Sequence, residues 1–278
     1  MRNGTAKEIK LPRLGMGTWC FGGRTEHDPG NDDAGQIEAL QKGIELGFRL
    51  IDTAEYYAAG YAESLIGKAI AGFDREKLFI TSKVWKTNVS RDGVLRAAEG
   101  SLKRLGIDCL DCFLYHQFNP AVPLEETMGA LNELVAQGMT RAIGVSNFSA
   151  SLMARAAACS EAPLLLNQVH ANLAVREALE NLSGPCREQG IVLQAWRPLR
   201  DLEPDPVCEE LCRKRGITFQ QLCLAWLLNQ PNVAVITAMK TPRHLKETLD
   251  AAEIRLTPEE MKLLDAYPCR RPCGVPLA

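Results

Sequence analysis

Eight short apolar runs alternate along the chain with longer segments of helical period, and this alternation constrains the fold more than any other feature. The runs are LGMGTW (14–19), FRLIDTA (48–54), LFITSKVW (78–85), LDCFLYH (110–116), TRAIGVSNF (140–148), LLLNQVH (164–170), IVLQAWRPL (191–199) and VAVITAM (233–239). In FLYH, RAIGV, LLLNQV and VAVITAM the apolar residues are consecutive rather than alternate. Strands of a parallel sheet, covered on both faces, read this way. Parallel neighbours need crossovers, and helical stretches at 34–46, 63–71, 92–104, 124–137, 149–158, 174–189 and 206–215 with 218–229 supply them. Two more, at 242–251 and 257–266, follow the last run. Asp32 or Asp33 caps the first helix, and Gly47, Gly72, Gly106, Gly138 and Gly190 stand where helices should stop. Eight βα units predict an α/β fold closed into a single (β/α)8 TIM-type barrel, with an open doubly wound sheet as the competitor. No linker or low-complexity stretch divides residues 1–278, so one domain is expected.

Charge and composition remove several classes of function. A formal net charge of −2 gives no global field for nucleic acid or an anionic membrane. No stretch approaches the roughly 18 uninterrupted apolar residues of a membrane span. The opening MRNGTAKEIK lacks the apolar run of a secretory signal, and a cytoplasmic protein is expected. Cys109 and Cys112 form a C-x-x-C at a strand, where residues three apart point to opposite faces. Cys208 and Cys212 are four apart on a helix, and Cys269 and Cys273 lie in an arginine-proline tail. Neither pair is matched by a second pair with histidines, so free thiols and no metal are expected.

Two phosphate-binding motifs fail on inspection. Gly15-Met16-Gly17-Thr18-Trp19-Cys20 ends in Cys instead of Gly or Ala and is followed by a polar stretch rather than a helix. Gly67-Lys68 is preceded by Ala62 and followed by Ala69, inside a helix.

The polar residues that remain fall in one kind of place. Asp52 ends the second run and Tyr57 follows five residues later. Lys83 ends the third run, His116 the fourth, Ser146 and Asn147 the fifth, Gln168 the sixth and Trp196 the seventh; Lys240 follows the eighth. In a barrel all of them stand at the C-terminal rim, where such folds hold their active sites. Each has an ordinary explanation alone: a turn cap, a solvated lysine, a packed histidine. Together Asp, Tyr, Lys and His form a proton-transfer set. A phenol titrates near 10, and a neighbouring ammonium is expected to lower that value while Asp52 holds the lysine.

The same segments carry a family resemblance. LGMGTW, DTAEYYAAGYAESLIGKAI, TSKVW, LYH, RAIGVSNF, LNQVH, AWRPL and VAVITAMKTPRHLKET, in that order over nearly the whole chain, resemble the aldo-keto reductases. The resemblance implies reduction of an aldehyde or ketone by hydride transfer from a nicotinamide cofactor bound without a Rossmann domain. It implies a catalytic tetrad of Asp52, Tyr57, Lys83 and His116, with Tyr57 rather than Tyr56 as proton donor. Ser146, Asn147 and Gln168 match residues that hold the nicotinamide carboxamide, and Trp196 stands where a stacking tyrosine is usual. Thr18, Asp52, Arg197, Pro198 and Leu199 complete the inner cofactor positions; Trp19, Trp85 and His116 border the substrate.

The sequence also departs from the family pattern. Arg197 replaces a small residue and brings an extra cation towards cofactor or substrate. After the eighth run stand Ala238, Met239, Lys240, Arg243, His244, Glu247 and Thr248, without the usual adenine-side Asn and with the basic residues displaced. Lys240, Arg243 and His244 at a helix start still suit a 2′-phosphate. NADP (NADPH) is therefore the expected cofactor, with NAD secondary and Glu247 on the adenine side. A small carbonyl substrate and a monomer or small homo-oligomer are expected. The alternative is a cofactor-sensing regulatory barrel subunit without turnover.

Overall fold

In the computed structural model, which describes residues 9–238, 242–268 and 277–278, eight parallel strands close into a barrel in sequence order. The strands are β1 (Leu14–Gly17), β2 (Leu50–Asp52), β3 (Phe79–Val84), β4 (Leu110–Tyr115), β5 (Thr140–Ser146), β6 (Leu164–His170), β7 (Val192–Trp196) and β8 (Val233–Ala238). Around them run α1 (Asp33–Leu46), α2 (Tyr61–Ile70), α3 (Arg91–Leu105), α4 (Leu124–Ala136), α5 (Ala150–Ala158), α6 (Glu177–Glu188), α7 (Pro206–Arg215), α8 (Phe219–Asn229), α9 (Pro242–Glu253) and α10 (Pro258–Asp265). The open sheet is thereby excluded: β1 pairs with β8, Gly17 beside Ala238. No helix among the described residues is long and apolar enough to cross a membrane.

Local chemistry explains the element boundaries. Asp32 caps α1 by accepting from the Gly35 N–H at 3.0 Å. Thr218 with Gln221 and Thr257 with Glu260 form capping boxes at α8 and α10. Gly106 ends α3 at φ 67°, a left-handed cap whose N–H returns to the Leu102 carbonyl. β2 is shorter than its seven-residue sequence run: the Thr53 carbonyl beyond it is taken by the Lys83 side-chain ammonium of β3 rather than by a backbone N–H.

Strand residues alternate between two apolar clusters. Leu50, Phe79, Cys112, Leu114, Ala142, Leu166 and Ile236 form the smaller one, inside the barrel. Ile51, Ile80, Phe113, Ile143 and Val235 belong to the larger one, between strands and helices. The period of two carries the inward face upwards. Asp52 follows Leu50, Lys83 follows Phe79 by four, His116 follows Leu114, Ser146 follows Ala142 by four and Gln168 follows Leu166. Each polar residue thus enters the barrel mouth above an apolar floor. Ser82, of opposite parity, points outwards and donates to Glu63 on α2, which also accepts from Arg104 on α3 at 2.7 Å.

Gly67 has a packing role in α2. A Cβ built there would lie 2.8 Å from the carbonyl oxygens of Arg104 and Leu105. Backbone cannot swing aside as a side chain does. Gly67→Ala is therefore expected to destabilise the fold by about 1–3 kcal/mol, read as a lowered midpoint in thermal or urea unfolding.

The cysteines divide by environment. Cys112 is buried inside the barrel, whereas Cys109 precedes β4 and is half-buried. Burial raises both thiols, and it pushes Cys208 up to about 12. No group of three or more His, Cys, Asp or Glu among the described residues is placed to hold a metal. Cys269 and Cys273 lie outside the described residues.

Candidate active site

The C-terminal rim surrounds a cavity of about 560 Å³. The half of the barrel from β1 to β4 contributes Thr18, Trp19, Asp52, Tyr56, Tyr57, Trp85 and His116; the other half contributes Ser146, Asn147, Gln168, Trp196, Arg197, Pro198 and Leu199. Every inner site residue expected from the sequence except Lys83 lines this one space. Lys83 lies directly behind it.

Lys83 is wholly buried and spends its three N–H donors on three acceptors. They are Asp52 Oδ1 at 2.7 Å, the Thr53 carbonyl at 2.7 Å and the Tyr57 hydroxyl at 3.2 Å. Burial alone would push the ammonium down, but Asp52 and Tyr57 outweigh it and leave Lys83 above the ordinary lysine value. Burial raises Asp52, partly offset by Lys83 and by Gln168, whose amide donates to Oδ2 at 2.8 Å.

Tyr57 departs from the sequence expectation. Burial dominates and, helped by Asp52, lifts the phenol above 10, although Lys83 pulls it down. Lys83 therefore limits the rise instead of producing a net fall. A dry barrel mouth penalises tyrosinate more than one paired ammonium stabilises it.

Backbone strain fixes Tyr57 in position. The next residues, Ala58 and Ala59, sit in the left-handed region at φ 50° and 53°. Each placement costs a non-glycine residue about 1–2 kcal/mol. The Arg24 and Thr25 carbonyls hold the turn, accepting the two alanine N–H groups at 2.7 and 2.9 Å.

His116 is kept neutral. Burial and the Lys83 charge push it well below the ordinary imidazole value. Its Nδ1 has no hydrogen-bond partner among the described residues, and its ring stands edge-on to Tyr57 at 5.8 Å and to Trp85 at 5.0 Å. Tyr56 does not join the proton set. It stacks on Trp85 at 3.8 Å between centroids, with Trp19 near-parallel on it at 6.4 Å.

The opposite wall is a connected amide surface. Ser146 Oγ donates to the Gln168 carbonyl at 2.8 Å and accepts from Asn147 Nδ2 at 3.0 Å. Asn147, held at φ 59°, accepts from Trp196 Nε1 at 3.3 Å. Gln168 spends both amide hydrogens, on Asp52 and on Gln194 Oε1 at 2.6 Å, and so presents Oε1 as an acceptor. Trp196 is stacked by His170 at 4.6 Å. Thr18 donates to the Asp52 carbonyl at 2.9 Å, fixing β1 against β2.

The sequence reading passed over several participants. Gln194 anchors Gln168; its signal was a lone amide inside the apolar VLQAW. Glu55 accepts from the Trp85 N–H at 2.6 Å and from Asn88 at 3.0 Å, setting the Tyr56–Trp85 stack. No sequence pattern marks that contact. Gln117 and Arg200 also line the cavity. Of the adenine-end residues, His244 is exposed and Glu247 half-buried near the start of α9. Lys240 and the Arg243 side chain lie outside the described residues.

Residues 13–267 match the model of the Aldo/keto reductase family. The chain belongs to this family. Among related aldo-keto reductases, methylglyoxal reductase YeaE of Escherichia coli is 35% identical over 274 residues, covering 94% of this chain and 93% of that one. The thermostable aldo-keto reductase Tm1743, crystallised with the inhibitor epalrestat, superposes with a TM-score of 0.89 at 45% identity, over 92% of this chain and 95% of that one. An aldo/keto reductase from Klebsiella pneumoniae, crystallised with NADP and acetate, gives a TM-score of 0.84 at 32% identity, over 96% of both chains.

Proposed function

We propose that this aldo-keto reductase works as one barrel domain that reduces an aldehyde or ketone with NADPH, Tyr57 donating the proton. The observation that carries the reading is the buried Asp52–Lys83–Tyr57 chain opening beside a neutral His116 at the cavity wall. The wall also suits a nicotinamide. Gln168 Oε1 is an acceptor without a partner among the described residues and suits a carboxamide N–H, Asn147 retains a spare N–H for its carbonyl, and Trp196 offers an aromatic ring beside them.

Ser146, Asn147, Gln168 and Trp196 would hold the nicotinamide, with Thr18, Asp52 and the segment 197–199 alongside. When bound, a reduced nicotinamide supplies hydride to the carbonyl carbon. The rest of the chemistry falls to this chain's own groups. Tyr57 Oη hydrogen-bonds the carbonyl oxygen and gives it a proton as negative charge develops there. Lys83 meets the charge left on the phenolate, and Asp52 keeps Lys83 protonated and aimed. His116, being neutral, orients the carbonyl oxygen without competing as an acid. Trp19, Tyr56 and Trp85 exclude water from the apolar side.

A preference for NADPH over NADH rests on Lys240, Arg243 and His244 around the start of α9, with Glu247 at the adenine end. The test is the fall in absorbance of each reduced cofactor with a panel of aldehydes and ketones, together with calorimetric titration of NADPH. Turnover with a higher kcat/KM for NADPH than for NADH is expected. Tight NADPH binding without turnover of any carbonyl would instead support a cofactor-sensing subunit.

A further inference from the structure

The Arg197 guanidinium is a charge in the cavity that the proton chemistry leaves unused. Its backbone adopts φ 55°, in the left-handed region that favours glycine. The strained turn is tied down by Asn172, whose Nδ2 donates to the Arg197 carbonyl at 3.0 Å and to the Arg200 carbonyl at 3.3 Å. Asn172 Oδ1 in turn accepts from the backbone of Ala174 and Val175, each at 2.9 Å. A built turn of this kind fixes where the side chain starts. The guanidinium carbon comes to rest 4.8 Å from the centroid of the Trp196 ring.

Among the described residues this cation meets Asp201 only beyond ion-pair distance and is opposed by Arg200. Arg197 is half-buried, and among the described residues its guanidinium makes no hydrogen bond and no ion pair. Asp52, the carboxylate of the cavity, is already matched by Lys83 at 2.7 Å. Asp201 lies with the exposed Arg200 at 3.3 Å. Five donors held in a partly dry, ring-lined cavity call for acceptors, which water supplies in the open cavity and a bound anion can replace.

We propose that Arg197 is the receptor for an anionic group, a carboxylate or phosphate, carried by the carbonyl substrate itself. The apolar or aromatic body of that substrate would lie against Trp19, Tyr56 and Trp85. The inference rests on the carbonyl-reductase reading and names its substrate class. The diphosphate of the cofactor offers the same oxygen chemistry, but position favours the substrate. Arg197 and Tyr57 line the same cavity, and the carbonyl must sit at that phenol. An anion reaching Arg197 therefore fits within one small molecule whose carbonyl is at Tyr57.

The experiment compares kcat/KM for para- and meta-carboxybenzaldehyde with their neutral methyl esters, using NADPH, in the parent, Arg197→Met and Arg197→Lys. NADPH affinity is measured calorimetrically in each. The parent is expected to prefer at least one acid over its ester. The acid-to-ester ratio should fall by about 10- to 100-fold in Arg197→Met, the range for a lost charge-assisted hydrogen bond, and recover in part in Arg197→Lys. No acid preference in the parent, or an unchanged ratio in Arg197→Met, overturns the proposal. So does weakened NADPH binding in Arg197→Met at a constant ratio, which assigns the cation to the cofactor's phosphates. If neither acids nor esters are reduced, the carbonyl-reductase reading itself fails and takes this inference with it.

Discussion

Tyr57→Phe is expected to lower kcat for carbonyl reduction by about 10²- to 10⁴-fold, the usual worth of a positioned general acid, while NADPH still binds. The substitution removes one oxygen and keeps the ring that packs edge-on to Trp19 at 5.0 Å and to His116 at 5.8 Å. The fold should tolerate it. Losing the hydroxyl also frees one Lys83 donor, but Asp52 and the Thr53 carbonyl continue to hold the ammonium. Tyr56→Phe serves as the internal comparison, because Tyr56 contributes a stacked face rather than a proton. A near-normal kcat in Tyr57→Phe, or an equal loss in both variants, removes Tyr57 from the role of acid.

Lys83→Met should lower kcat by at least about 10²-fold, comparable to removing one donor that stabilises developing negative charge. Here stability must be separated from chemistry. Breaking a buried ion pair by deleting one partner costs about 3–5 kcal/mol, because the other charge is left unpaired. Asp52 is 1% exposed and would be that charge. The double variant Asp52→Asn/Lys83→Met is therefore expected to regain much of the lost thermal midpoint without regaining activity.

The pH profile gives an independent sign. With Tyr57 as the proposed proton donor, reduction needs it protonated, and activity is expected to fall as pH rises through the phenol's pKa. Burial already holds that pKa high, and the Lys83 charge is what pulls it down. Without the charge the phenol rises further, and the alkaline limb of residual activity should move to higher pH. A limb that stays in place would count against coupling between Lys83 and Tyr57.

How much of this was legible beforehand varies by residue. The closed barrel followed from consecutive apolar residues in the strand runs and from the helical segments between them, because parallel strands need both. The rim positions of Asp52, His116, Ser146 and Gln168 followed from their places at the ends of the strand runs, and the structure added that the period of two above Leu50, Leu114, Ala142 and Leu166 turns them into the cavity. Both are local properties of a polypeptide, and local properties survive in sequence. The cap of α1 was narrowed to two aspartates, and the structure chose Asp32 by its bond to the Gly35 N–H.

What the sequence by itself determined was the barrel, its family, and the residues that reach the mouth. Only the tertiary structure decided the balance of forces among them. Tyr57 was expected to be drawn below its ordinary value by Lys83; burial reversed the net direction, and burial is a sum over every neighbour rather than a feature of a motif. Gln194 and Glu55 acquired their roles through partners 26 and 30 residues away. Arg197 could be noticed as an odd residue in AWRPL. That its guanidinium rests by Trp196 with no acceptor among the described residues depends on the Asn172-tied turn, and so on contacts that exist only once the barrel has closed.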